Sequence, residues 1–471
     1  MYRRPDYEQS DIYDFILPFG GHLDQDNRWV VLRNSIDWKV IHEIYEENFD
    51  NKKTGNEALS AEIAFGALYI QRKLSLTDRE LVDQISENPY MQYFIGFKEF
   101  RAERPFDPSL LVAFRKRING KMMEEISEKM FLVDEEENSN DDDDPPSGSG
   151  SGASDHSENE QGNAHPNSGT LIIDASCAPA DIAYPTDLEL CDKARKRFLS
   201  LNNRRKKSAK KIWKEIRYQL NCIRRNLGYV REYEEKYGAA GLHKIEAERL
   251  QTIKKFEEQQ RYMLDNKCHS VDDRIVSLSQ PWIRPVVRGK SKAPTEFGAK
   301  ISISVVNGYT FIDKFSFDAY NEGDADEFLA VVGKYHERFG YYPERILADK
   351  IYRSRNNRAL CKKLGIKLSG PKLGKPGKNH AEDVRQELKE IGERNAVEGK
   401  FGNAKRKLGL GLIMEKLKET TECMVAMDIF VLNMEHYMRT CIVLCCAFFE
   451  KMKFVVFQNN RKKSGLLILV V

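Results

Sequence analysis

The chain has 471 residues, 41% apolar and 31% charged, enough for two or three domains of the soluble globular kind, each with its own core. The net charge of +3 hides an asymmetry: Asp134 to Thr170 holds eleven acidic residues and no Lys or Arg, which leaves +14 on the rest. A basic body of that kind points to a polyanionic partner.

Residues 1–133 read as helical. Ile41, Ile44 and Tyr45 share one helical face, and Thr77 with Glu80 predicts a capping box opening a helix over Asp78–Ser86. Asp107-Pro108-Ser109 precedes a further helix over Leu110–Ile118, which carries Arg115, Lys116 and Arg117. Residues 134–169 combine an Asp141–Asp144 run with alternating Gly and Ser. Such a segment buries too little apolar surface to offset its ordering entropy and predicts a disordered tether. A carboxylate-rich metal buffer or nucleic-acid mimic is the alternative.

At Thr170 the pattern changes. Leu171-Ile172-Ile173 predicts a short buried strand with Asp174 at its C-terminal end. Lys300–Val306 and Tyr309–Phe317 predict two strands joined at Asn307-Gly308, a strong hairpin signal. A helix over Asp324–Phe339 follows, then a strand Arg345–Ala348 ending at Asp349, a helix Arg355–Lys363 and a strand Ile366–Ser369. A Gly/Pro/Lys loop leads into a long helix from about Ala381. The order suits a mixed α/β sheet.

Between the first strand and the hairpin lie two helices. Ile212, Ile216, Leu220, Ile223, Leu227 and Val230 form one apolar stripe, and Leu250, Ile253 and Phe256 mark an antiparallel partner. From Lys193 to Arg225 the chain carries fourteen Lys or Arg and one acid, Glu215. Lys206, Lys207, Lys210 and Lys211 lie in that run. A solvated face usually alternates sign, so clustered cations favour phosphate binding over a plain basic surface.

The nine cysteines form no CxxC pair, which argues against a zinc site or disulfide framework and for a reducing, cytoplasmic compartment. The N-terminus lacks the apolar core of a signal peptide. Met424–Phe449 is apolar but interrupted by Asp428, Glu435 and Arg439, so a buried core helix is expected there rather than a membrane span.

Two predicted strands end in carboxylates, Asp174 and Asp349, and open α/β sheets build sites outside their strand ends. Hard divalent cations take such oxygen ligands, although a lone strand-end Asp is more often a turn or cap residue. The late helix adds Arg394, Glu398 and Lys405, which fall within about 40° of one another around the axis. A helical ion pair between Arg394 and Glu398 is the plain explanation. It leaves Gly399 and Gly402 unexplained, and these predict close approach of another backbone or of nucleic acid.

The block Arg394-Asn-Ala-Val-Glu398-Gly-Lys-Phe-Gly-Asn-Ala-Lys405 resembles the signature of DDE transposases of bacterial insertion sequences, in the group related to insertion sequence family five. Ile173-Asp174-Ala175-Ser176 and Tyr184-Pro185-Thr186-Asp187 are similar to the family's first-aspartate region. Asp273-Arg274-Ile275, Pro281-Trp282-Ile283-Arg284-Pro285 and Ala293-Pro294-Thr295-Glu296-Phe297-Gly298 resemble the stretch before its hairpin. Ala348-Asp349-Lys350-Ile351-Tyr352-Arg353 through Leu368-Ser369-Gly370-Pro371 resembles its second-aspartate region. The likeness runs from about Trp38 to about Met434. It departs at Ile391, where the broader signature has Tyr, and in the tail from Lys451 to Val471.

The resemblance implies an RNase H-like catalytic domain over residues 170–440, with a basic helical insertion over 192–270 and a C-terminal tail over 441–471. Residues 1–133 then become either a DNA-end-binding or dimerising domain or a plain helical cap. Asp174, Asp349 and Glu398 become both the catalytic triad and the ligands of two Mg²⁺ ions, for which Mn²⁺ substitutes. Arg394 and Lys405 become contacts to DNA phosphate. Water attack would free a 3′-OH at an element end, and that hydroxyl would attack target DNA. Terminal inverted repeats, target DNA and a second copy of the chain become the partners, on the bacterial nucleoid. Two alternatives stay open: a catalytically silent DNA-binding descendant, and an RNase H-like nuclease that never joins strands.

Overall fold

A computed structural model describes residues 11–18, 20–49, 58–132, 166–182, 190–191, 209–238, 242–287, 295–371 and 380–464, with side chains of the last helix described to residue 442. The acidic tether, the Gly/Pro/Lys loop and the Tyr184–Asp187 block lie outside these residues or nearly so.

The N-terminal part is helical, as its capping signals predict. Asp37 caps α2 (Trp38–Glu46) by accepting from the backbone N–H of Lys39 and Val40, and Ile41, Ile44 and Tyr45 are buried. Thr77 and Glu80 form the expected capping box of α4 (Asp78–Glu87). Between them, α3 (Ala61–Leu74) starts at the Ser60 cap and stops where Ser75 turns left-handed, at φ 54°. Helices α1 (Arg28–Ser35), α5 (Pro89–Phe94), α6 (Leu110–Arg117) and α7 (Gly120–Phe131) complete the set. The basic end of α6 is only partly solvated: Arg115 is buried, and donates to Gln71 at 2.8 Å and to Asp78.

The sheet is six-stranded, with order β2–β3–β1–β5–β6 and β4 on β3. Its strands are β1 (Thr170–Pro179), β2 (Arg284–Val287), β3 (Thr295–Val306), β4 (Tyr309–Ser316), β5 (Arg345–Leu347) and β6 (Lys367–Leu368). β1 runs antiparallel to β3 and parallel to β5, so the sheet is mixed. Asn307 and Gly308 at φ 50° and 84° make the β3–β4 turn, the conformation that Asn-Gly adopts most readily. Asn433 clamps that hairpin: its amide accepts from the N–H of Thr310 and donates to the Thr310 carbonyl, both at 2.8 Å.

One strand expectation needs correction, and one strand is additional to those expected. β1 does not end at Asp174 but continues to Pro179, because β3 is long enough to pair with it from Ile172 to Pro179. β2 is also a true strand, although Pro285 lies within it. It pairs along the edge of β3, where a residue lacking an N–H is tolerated.

The insertion is two long helices, α8 (Ala209–Tyr237) and α9 (Lys244–Asn266). Ile216, Leu220, Ile223 and Leu227 meet Phe256 and Leu264 in a small core of their own, so the predicted stripe does face its partner. After the sheet's crossover helices α10 (Ala325–Phe339) and α11 (Arg355–Lys363) come α12 (His380–Lys407) and α13 (Lys418–Ser464). The last helix therefore runs without a break into the segment read as a tail. Its Phe430 ring lies 5.1 Å from Phe65 and 5.5 Å from Phe131. That packing joins the N-terminal helices and the sheet in one continuous core. Among the described residues no helix is long and apolar enough to cross a membrane.

Candidate active site

The site begins with strand register. β1 and β5 pair in parallel with Ile172 opposite Leu347, so Asp174 and Asp349 each follow two residues after the last paired position. Adjacent strands lie about 4.8 Å apart. β5 stops at Leu347, and Asp349 then caps the short turn Lys350–Tyr352 by accepting from the N–H of Lys350. Asp174 accepts from the N–H of Ala175 at 2.8 Å.

Helix α12 crosses this end of the sheet. Val397, Phe401 and Ala404 are buried and seat it on the core. Its first half is tied down by Glu393 to Arg345 at 2.7 Å and by Glu390 to Lys367 at 3.3 Å. Arg394 then lies between two carboxylates, 3.7 Å from Asp349 and 3.5 Å from Glu398. Further along, the Lys405 ammonium donates to the Ser176 hydroxyl at 2.9 Å, two residues beyond Asp174 on β1. The sequence pattern missed Ser176 as a partner, and only the β1 extension past Asp174 signals it.

Asp174 holds its proton more tightly than an ordinary carboxyl. Burial is the main cause, and the charges of Asp349 and Glu398 add to it, while the Ala175 N–H and Arg394 act against it. The three carboxylates and the guanidinium thus share one electrostatic neighbourhood. Their oxygens are the hard donors that Mg²⁺ prefers, so in chemistry the set fits such an ion. As arranged, no group of three His, Cys, Asp or Glu side chains among the described residues is close enough to hold one. The Asp349 and Glu398 side chains are 55% and 57% exposed, so both have room to turn.

The predicted close approach at the helix glycines does not occur within the chain. A Cβ on Gly399 would meet nothing within 4 Å, and one on Gly402 only the Arg406 guanidinium at 3.7 Å. Of the predicted phosphate-binding lysines, Lys206 and Lys207 lie outside the described residues, as do the side chains of Lys210 and Lys211. Lys214, Arg217 and Arg225, next along α8, are exposed.

Fold and site together define a mixed α/β protein with carboxylates in one electrostatic neighbourhood beyond a parallel strand pair. Comparison with known families makes this specific. Residues 346–435, which include Asp349, Arg394, Glu398 and Lys405, match the family described as a transposase DDE domain. Residues 18–117 match a transposase domain of unknown function, DUF772. These two matches, with the mixed α/β sheet, support an RNase H-like fold and a transposase role with DNA as the implied partner, as the sequence resemblance implied. A curated protein of Rhizobium meliloti, an uncharacterized protein named ORF8 in the nfe locus, is 29% identical over 166 residues. That alignment covers 35% of this chain and 68% of the relative. No solved structure matches.

Proposed function

We propose that the protein cleaves DNA at the ends of a mobile element and joins those ends to target DNA, with Asp174, Asp349 and Glu398 as its catalytic carboxylates. The observation that carries this reading is that Asp349, Glu398 and Arg394 all act on the buried carboxyl of Asp174, just beyond the paired residues of β1 and β5. Two Mg²⁺ ions held by these carboxylates would supply the positive charge that steadies the attacking and leaving oxygens of an in-line displacement at phosphorus. The chain's own cations serve the strand. Lys405, anchored beside β1 through Ser176, and Arg394, at the mouth of the site, bind phosphates flanking the scissile bond. The basic approach to α8, with Lys206, Lys207, Lys210 and Lys211, extends that contact along the duplex. Joining two ends calls for a homodimer.

The test is Mg²⁺-dependent nicking and strand transfer on the cognate element ends. Asp174→Ala, Asp349→Ala and Glu398→Ala are each expected to abolish cleavage while DNA affinity stays within about twofold, since the lost groups are anions. Full cleavage by any of the three overturns the assignment. The separation of the three carboxylates favours one second reading, a DNA-binding protein without catalysis. That reading predicts binding to the ends with no nicking by the wild-type protein. Cleaved ends without joined product mark a nuclease instead.

A further inference from the structure

The other flank of α12 forms a cleft against α13. Gly399, Lys400 and Asn403 line one wall and Glu435, His436 and Arg439 the other, around about 190 Å³ of space. A water takes about 30 Å³, so the cleft has room for a tetrahedral oxyanion with part of its hydration. Lys400 lies about 200° around the helix from Glu398, well away from the three carboxylates.

The charges in this cleft do not balance. Glu435 is matched twice, by Lys73 at 2.6 Å and by Arg439 at 3.3 Å. Lys400 has no carboxylate partner among the described residues; its ammonium donates to the Gly308 carbonyl at the hairpin turn. Lys400 is partly buried, and Arg439 lines the same cleft. His436 lies on the same wall as Arg439, and its Nε2 is 3.3 Å from the Asn307 carbonyl. A half-desolvated ammonium beside a second cation is costly until an anion enters. The fold nevertheless fixes it there, because the left-handed Asn307-Gly308 turn presents its carbonyls at this point.

We propose that this cleft binds a phosphate oxyanion, held between Lys400 and Arg439 with Asn403 and His436 at its rim. A DNA phosphodiester and free inorganic phosphate share that chemistry. Only the DNA source rests on the transposase reading.

Two variants of the full chain, without added metal, test the site. Lys400→Met removes the unmatched charge. Gly399→Leu keeps every charge and fills the cleft, at a helical position where a Cβ meets nothing within 4 Å; leucine also favours helix over glycine. The first readout is the thermal midpoint in inorganic phosphate against chloride of equal ionic strength. The second is DNA affinity as a function of salt. If the ligand is DNA, both variants lose about three- to tenfold in affinity, and the log–log salt slope becomes shallower by about one. If it is free phosphate, both lose the phosphate-induced rise in midpoint and keep their DNA affinity. The proposal is overturned if neither readout differs from wild type in both variants. It is also overturned if Lys400→Met alone changes them, since that would be a general charge effect. Nicking by the Asp174, Asp349 and Glu398 variants reads the active site independently, so failure there leaves these measurements standing.

Discussion

Among the described arginines that lie between two carboxylates, Arg394 and Arg72 make a contrast that separates a site from a scaffold. Arg394 reaches Asp349 and Glu398 at 3.7 and 3.5 Å, and both acids are more than half exposed. Arg72 reaches Glu415 and Asp428 at 3.1 and 3.3 Å, and those acids are 9% and 0% exposed. In the first cluster water competes for every partner, so the contacts are weak and the carboxylates are free to serve another cation. In the second, loss of one partner strands a charge away from water. Similar chemistry is adaptable in one place and fixed in the other, and burial decides which.

The largest expected effect on stability breaks the buried cluster. Arg72→Ala is expected to cost about 3–5 kcal/mol in denaturant unfolding, because two carboxylates lose their cation inside the core. A loss below about 1 kcal/mol would erase the contrast. Next comes its pH dependence. Burial, with Glu415 nearby, pushes the Asp428 pKa up to about 7 from an ordinary 3.8, against the pull of Arg72. A raised carboxyl pKa means that the folded state binds the proton more tightly. This group's contribution to stability is therefore full below about pH 4 and declines as the pH rises towards 7. Asp428→Asn should remove that decline, so the difference in stability between variant and wild type shifts in favour of the variant across this window. The smallest effect concerns the exposed cluster: Asp349→Asn and Glu398→Gln should each change stability by less than about 1 kcal/mol while abolishing nicking. Global unfolding by either one would make those carboxylates structural.

Much of this was legible locally. The Thr77/Glu80 capping box, the Asn307-Gly308 turn and the helix over Arg355–Lys363 follow from contacts within a few residues, and the structure has all three. Glu398 with Arg394 and Lys405 could likewise be placed on one helical face, since helical period alone sets their angles. The early end given to β1 shows the limit. A strand's length depends on its partner, and β3 carries β1 five residues beyond Asp174.

Sequence by itself determined the helices, the hairpin and the apolar stripe of the insertion, because propensity, capping and periodicity act over one or two turns. Tertiary structure alone decided that Asp174 and Asp349 lie just beyond a parallel strand pair and share one electrostatic neighbourhood, that Ser176 meets Lys405, and that Lys400 has no carboxylate partner among the described residues on the far flank of α12. Each of these joins residues far apart in the chain, and only packing of the assembled core brings such groups within reach of one another.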